Sequence, residues 1–217
     1  MGAGVKMQRI RVVIADKHTM LREGIRQLLA HEGDIEIVAE TADGAEAERT
    51  VARLKPDILL LDHSLLRGLQ TLQEIRSKNP QTVILILTEG RSEEEYLRYI
   101  REGANGAISK MEPGAALAKA LRVVAAGEIW AGRKVMARAV EELSAIATRL
   151  ERPQHAAAAR LTQRELKIAE LVAEGQSNRE IAAKLALSEK TVKNHLTSIF
   201  QKTGCRNRAQ LTALLLR

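Results

Sequence analysis

Aromatic side chains are nearly missing from this 217-residue chain: one tryptophan, one phenylalanine and two tyrosines, 2% in all. Any core must therefore be aliphatic, built from Leu, Ile, Val and Ala. The single cysteine, Cys205, excludes an internal disulfide and fits a reducing compartment. Apolar runs such as ILLL at 58–61 and VILIL at 83–87 are too short to cross a bilayer. The opening MGAGVKMQRI has no apolar stretch of the signal-peptide kind, so a cytoplasmic protein without membrane association is expected. His18, His31, His63, His155 and His195 lack metal-ligand spacing, and no Ser or Cys lies in an activating motif. The glycines form no phosphate-binding loop. No enzyme activity, no metal and no cofactor are expected.

The chain does contain an ordinary globular balance, 45% hydrophobic and 28% charged residues, with a net charge of +7. That charge is unevenly placed. Residues 1–127 carry 18 basic and 18 acidic side chains, whereas residues 161–217 carry ten against five. The excess sits where a polyanion could meet it, although an extra-basic solvated surface would look the same.

Short β-rich runs alternate with amphipathic stretches over residues 9–127. RIRVVIA (9–15), DIEIVAE (34–40), DILLLD (57–62), TVILILT (82–88) and GAISK (106–110) read as five strands, each followed by helical spacing. Near-continuous apolar strands separated by helices imply a parallel sheet covered on both faces, a flavodoxin-like doubly wound α/β domain. Residues 128–160 read as a linker, with a helix over 133–151 and an Ala-rich stretch over 153–160. From 161 to 217 the pattern is entirely helical.

Each helix of that last segment has its own start signal. Thr162 with Glu165 makes a capping box, Ser177 or Asn178 precedes a short helix, Ser188 precedes a third, and a last helix covers 209–216. Two short helices around a tight turn make a helix-turn-helix whose second member would be the recognition helix. Its polar face carries Lys190, Thr191, Lys193, Asn194 and Thr197, side chains able to contact base edges and phosphates. Lys202, Arg206 and Arg208 follow it and could neutralise phosphates. Helix spacing alone would equally allow a bundle with its lysines in water.

The runs LTQRE, AEGQSNREIA, LSEKTVKNHL and IFQKTG-x-RNR closely resemble the LuxR-type helix-turn-helix of the NarL/FixJ response regulators. The resemblance implies an all-α four-helix domain in which Lys193, Asn194 and Thr197 face bases and Lys190 and Thr191 face phosphates. It also implies a homodimer on double-stranded DNA, with RNA polymerase a further candidate partner. Cys205 is expected to be a buried, inert thiol, and His195 a packing or phosphate contact.

In a doubly wound sheet functional groups gather at the carboxyl ends of strands. Asp16, Asp62, Thr88 and Lys110 all fall there, and with IRVVIADKHTMLREGIRQLL they resemble a receiver domain. By that resemblance Asp62 is the phosphoacceptor, Thr88 the phosphoryl-contacting hydroxyl and Lys110 its charge partner. Four departures stand beside it. Receivers carry two adjacent acids after the first strand, the second a direct Mg²⁺ ligand, and here the pair is Asp16-Lys17. HSLLR follows Asp62, bringing Gly68 about two residues early. Glu89 replaces a small residue, and Ala107 replaces the aromatic switch.

A Lys⁺ about 4 Å from a carboxylate gains roughly 4 kcal/mol at an effective dielectric of 20. Pointing into the pocket, Lys17 would exclude the metal and pair with Asp16 or Asp62; pointing outward, it would still leave the pocket one ligand short, so Mg²⁺ binding is expected to be weak or absent in either case. The resulting expectation is a DNA-binding transcription regulator whose atypical receiver works without phosphorylation and needs no histidine kinase. The alternatives are a conventional regulator switched at Asp62 and, further off, an interaction protein that does not bind DNA.

Overall fold

The computed structural model describes residues 9–66, 68, 70–90, 92–139 and 161–215. Five strands, β1 (Ile10–Ala15), β2 (Ile35–Thr41), β3 (Ile58–Asp62), β4 (Val83–Thr88) and β5 (Gly106–Ser109), form one sheet in the order β2-β1-β3-β4-β5. Every pairing between neighbours is parallel. A 3₁₀ turn, His63–Leu65, follows β3. The covering helices are α1 (Thr19–Leu29), α2 (Gly44–Leu54), α3 (Gln70–Lys78), α4 (Glu93–Arg101) and α5 (Gly114–Ala125).

Both faces of the sheet are buried, which is why its strands read as unbroken apolar runs. On one face Ile14, Leu60 and Leu85 pack against α1 and α5 through Ile25, Leu29 and Leu121. On the other, Leu59, Leu61 and Ile86 pack against α2 and α3 through Val51, Leu72 and Ile75. Each fully buried Leu or Ile contributes about 1.5–3 kcal/mol relative to exposure. The parallel register brings Asp62, Thr88 and Ser109 to one edge, each the last residue of its strand.

Beyond α5, residues 133–139 are helical. The rest of the expected linker helix and the Ala-rich stretch lie outside the described residues. Then come α6 (Gln163–Ala173), α7 (Asn178–Leu185), α8 (Glu189–Thr203) and α9 (Arg208–Leu215). Thr162 and Ser177 close capping boxes with Glu165 and Glu180, and Ser188 caps α8. Of the two candidates before α7, the cap is Ser177. Ile168, Val172, Ile181, Val192, Leu196, Ile199 and Leu211 make an aliphatic core of their own, with the half-buried Cys205 packed on it. Burial raises the Cys205 thiol pKa, which keeps it protonated.

The helical domain docks on the α/β domain. Asn207, fully buried, donates through Nδ2 to the carbonyls of Ile100 (2.6 Å) and Ala104 (3.3 Å), and Gln210 Nε2 donates to Arg101 O (3.0 Å). Ala209 enters a small apolar cluster with Leu97, Ile100, Val135 and Ala139. Gly127, at φ +85°, sits so close to Asn178 that a Cβ there would come within 2.4 Å of Nδ2, so the contact requires glycine.

Candidate functional site

At the carboxyl edge of the sheet, Asp16 and Asp62 are fully buried and share one cation. Lys110 Nζ lies 2.9 Å from Asp16 Oδ2 and donates a very short hydrogen bond to Asp62 Oδ2. Its own backbone N–H is held by Thr88 O at 2.7 Å, so the stem leaves β5 at a fixed point. Ser64 N donates to Asp62 Oδ1 at 2.6 Å. Burial opposes ionisation of Asp62, but the hydrogen bonds it accepts from Lys110 and Ser64 outweigh that and hold its carboxyl well below the usual range. Burial likewise pulls the Lys110 pKa down, and the two aspartates more than restore it.

Of the two orientations open to Lys17, the outward one is found: the side chain is exposed. The side chain that reaches Asp16 is His18, whose N–H donates to Oδ1 at 2.7 Å and whose Nδ1 stands 2.9 Å from the same oxygen. The turn after β1 folds residue 18 back over residue 16, and so residue 17 points out. Glu89 is also exposed. Thr88 is buried and accepts from Gly90 N at 3.3 Å, and the buried Tyr99 of α4 lies near it. Ala107 is buried beneath them.

Sequence reasoning missed both His18 and Tyr99. The i, i+2 relation of His18 to Asp16 was the only available signal for the first. The histidine spacing gives no metal-ligand signal, yet ligand atoms of Asp16, His18 and Asp62 all lie within 4.8 Å of one another. As a Mg²⁺ site the set fits poorly. Mg²⁺ prefers oxygen donors, an imidazole nitrogen suits zinc-like ions better, and a Lys ammonium already bridges the two carboxylates.

Helix α8, the expected recognition helix, presents Lys190 and Asn194 to solvent, while Lys193 and Thr197 are half-buried. Thr191 closes the first turn, receiving the Ser188 cap. Thr197 Oγ1 is turned back onto Lys193 O at 3.1 Å. Three basic residues expected on phosphates are engaged elsewhere. Lys202 pairs with the buried Glu165 at 2.6 Å, and Arg206 Nη1 reaches Glu102 across the domain boundary at 3.3 Å. Arg208 is buried, donating to Val172 O at 3.3 Å and to Gln176 O at the C-terminal end of α6. Its desolvated charge has found helix-end carbonyls, which rules out a surface phosphate contact in this arrangement. The α8 face carrying Lys193 and Thr197 fronts a cavity shared with α3 and β4, so the helix that would enter a DNA groove lies partly against the other domain.

Comparison with known proteins agrees with this division. The model of the "Response regulator receiver domain" family matches residues 12–122, and that of the "Bacterial regulatory proteins, luxR family" matches residues 159–215. The chain is 37% identical over 211 residues to the oxygen regulatory protein NreC of Staphylococcus aureus (strain bovine RF122 / ET3-1), covering 96% of this chain and 97% of that one. The signal receiver domain of the putative response regulator NarL from Mycobacterium tuberculosis superposes with a TM-score of 0.53 at 28% identity. That match covers 56% of this chain and 99% of the other. Salmonella typhimurium RcsB shares the fold at 24% identity, with a TM-score of 0.54 over 94% of this chain and 98% of its own. Among the described residues no helix is long and apolar enough to cross a membrane.

Proposed function

Since this chain belongs to the NarL/FixJ-type response regulators, DNA-binding transcription regulators with a receiver and a LuxR-type helix-turn-helix, we propose that its receiver is set by an internal ion bridge rather than by phosphorylation. The observation that carries this reading is Lys110 bridging the buried Asp16 and Asp62, with His18 on the remaining Asp16 oxygen. Phosphoryl transfer to a carboxylate needs a metal to neutralise the developing charge. Here the metal-ligand position carries Lys17, and the neighbouring acids already have partners.

The helix-turn-helix domain acts on double-stranded DNA as a homodimer in the cytoplasm, with RNA polymerase downstream and no obligatory histidine kinase. Lys193, Asn194 and Thr197 face bases, and Lys190 and Thr191 face phosphates. Lys193 and Thr197 become available only when α8 swings off the receiver, at which point Arg206 is also released from Glu102. The domains act as units over 9–127 and 161–217, joined by 128–160. The test is the intact mass of the protein after incubation with acetyl phosphate and Mg²⁺, with Asp62→Asn as control. No added mass is the expected result. A labile phosphoryl adduct absent from the Asn variant would overturn the proposal.

A second reading has its own observation. Asp62, Thr88 and Lys110 stand together at the strand ends, and a conventional phosphorylation switch needs all three. The same mass measurement decides between the two.

A further inference from the structure

The cavity between the two domains has a volume of about 60 Å³, several times what one water needs. Arg76 of α3, Lys193 of α8 and Arg208 of α9 all lie on its wall, with Asn178 between them and the apolar surfaces of Leu196 and Phe200 beside them. One carboxylate, Asp57, is also on the wall, and its Oδ2 is occupied by the Arg11 backbone N–H at 2.9 Å.

The two guanidinium groups are buried, and among the described residues neither forms an ion pair within 4 Å, while Glu128 and Glu180 act on Arg208 from farther away. Arg76 makes hydrogen bonds only to neutral oxygens, Thr82 O and Asn105 Oδ1, and lies 5.8 Å from the Phe200 ring centre. Burial pulls its pKa down to about 10, the sign of a cation lacking a counter-charge. Arg208 spends Nη2 on two carbonyls and leaves Nη1 buried with no hydrogen-bond partner, and Asn178 Oδ1 is likewise without one. Buried polar atoms normally find partners, and orphaned ones on a cavity wall point to something that fills the cavity.

We propose that this inter-domain cavity binds a small oxyanion, a phosphate or short dicarboxylate, held by Arg76 from the receiver side and by Lys193 and Arg208 from the helix-turn-helix side. The Arg208 Nη1 donor and the Arg76 guanidinium supply charge-assisted hydrogen bonds. Asn178 Oδ1 accepts from a protonated oxygen of the ligand or from a water it carries. Because the ligand touches both domains, it favours the docked arrangement, in which Lys193 and Thr197 are half-covered, and so opposes DNA binding. The proposal is independent of the chemistry at Asp62, since neither inorganic phosphate nor succinate is a phosphoryl donor.

The test is calorimetric titration of the full-length protein with inorganic phosphate and, separately, with succinate, at constant ionic strength in chloride. One saturable site is expected for at least one probe, and which probe binds identifies the source of the anion. Lys193→Met, a change on a half-exposed helix position, and Arg76→Met should each weaken that binding about tenfold or more, the worth of one charge-assisted contact. Lys190→Met removes the same charge from the same helix outside the cavity and should leave binding unchanged. Asn207→Ala, which loosens the docking, should weaken it too. Saturating anion should lower the affinity of the unsubstituted protein for duplex DNA several-fold at fixed ionic strength. Absence of saturable binding for both probes, or binding indifferent to both Lys193→Met and Arg76→Met, would overturn the proposal.

Discussion

Two lysines in this molecule sit on buried carboxylates, one in each domain, and they do different things. Lys202 lies on Glu165, whose oxygens are completely used: Ser198 Oγ donates at 2.6 Å, Thr162 N at 2.8 Å, and Lys202 reaches both. That cluster pins the start of α6 to the far end of α8 and is structural. Lys110 lies on two aspartates at once, and Asp16 Oδ2 is left with an ionic contact but no hydrogen bond. A satisfied carboxylate holds a fold together; an under-satisfied pair marks a place where chemistry or regulation can act.

The largest effect should come from Lys110→Met. It leaves two buried carboxylates without a cation and should cost about 3–5 kcal/mol in urea unfolding. The pH dependence should also change sign. In the unsubstituted protein the low Asp62 pKa gives stability at neutral pH that is lost as pH falls below the ordinary carboxylate range. In the variant the burial of Asp62 is no longer offset by the lysine and raises its pKa, so that contribution to stability should increase as pH falls.

Glu165→Gln should come next, at roughly 1–3 kcal/mol, because Lys202 and the capping box lose their charged partner. The hydrogen bonds from Lys202 and Ser198 draw the Glu165 carboxyl down to about 2. The unfolded chain therefore takes up the proton first, and the stability present at neutral pH is lost as pH falls from about 4.5 toward 2. The Gln variant should lack that part of the acid sensitivity, as thermal melts across pH would reveal.

Asn207→Ala bears on how the two clusters communicate. It removes two buried hydrogen bonds across the domain boundary, a loss of about 1–2 kcal/mol from the docked form. DNA affinity should rise several-fold in a fluorescence-anisotropy titration; unchanged affinity would mean that docking does not compete with DNA. The smallest effect should come from Lys17→Asp, which puts an acid beside the pocket at an exposed position and should raise Mg²⁺ affinity about threefold, near 0.7 kcal/mol.

Much of this arrangement was legible in the residues. A parallel sheet buried on both faces leaves its polar side chains only at strand ends, so Asp16, Asp62, Thr88 and Lys110 had to converge. The caps Thr162, Ser177 and Ser188 announce three helices because side-chain capping is a local interaction. The contact of the exposed His18 with the buried Asp16 was not legible, because it depends on how one turn folds back. Nor was the engagement of Lys202, Arg206 and Arg208, whose partners lie 37, 104 and 36 residues away. Amphipathic periodicity says that a face is polar, not whether water, DNA or another domain meets it.

Gly106 admits the backbone of Trp130 against the exposed edge of β5: a Cβ there would stand 2.4 Å from Trp130 O. Trp130 N donates to Asn105 O at 2.9 Å, and Ala107 N donates to Trp130 O at 3.3 Å. It is the only tryptophan in the chain, and it follows α5 at the exit from the sheet domain. Its indole emission is therefore a built-in optical gauge, free of competing signals from other tryptophans, that reads the segment through which any separation of the two domains must be transmitted.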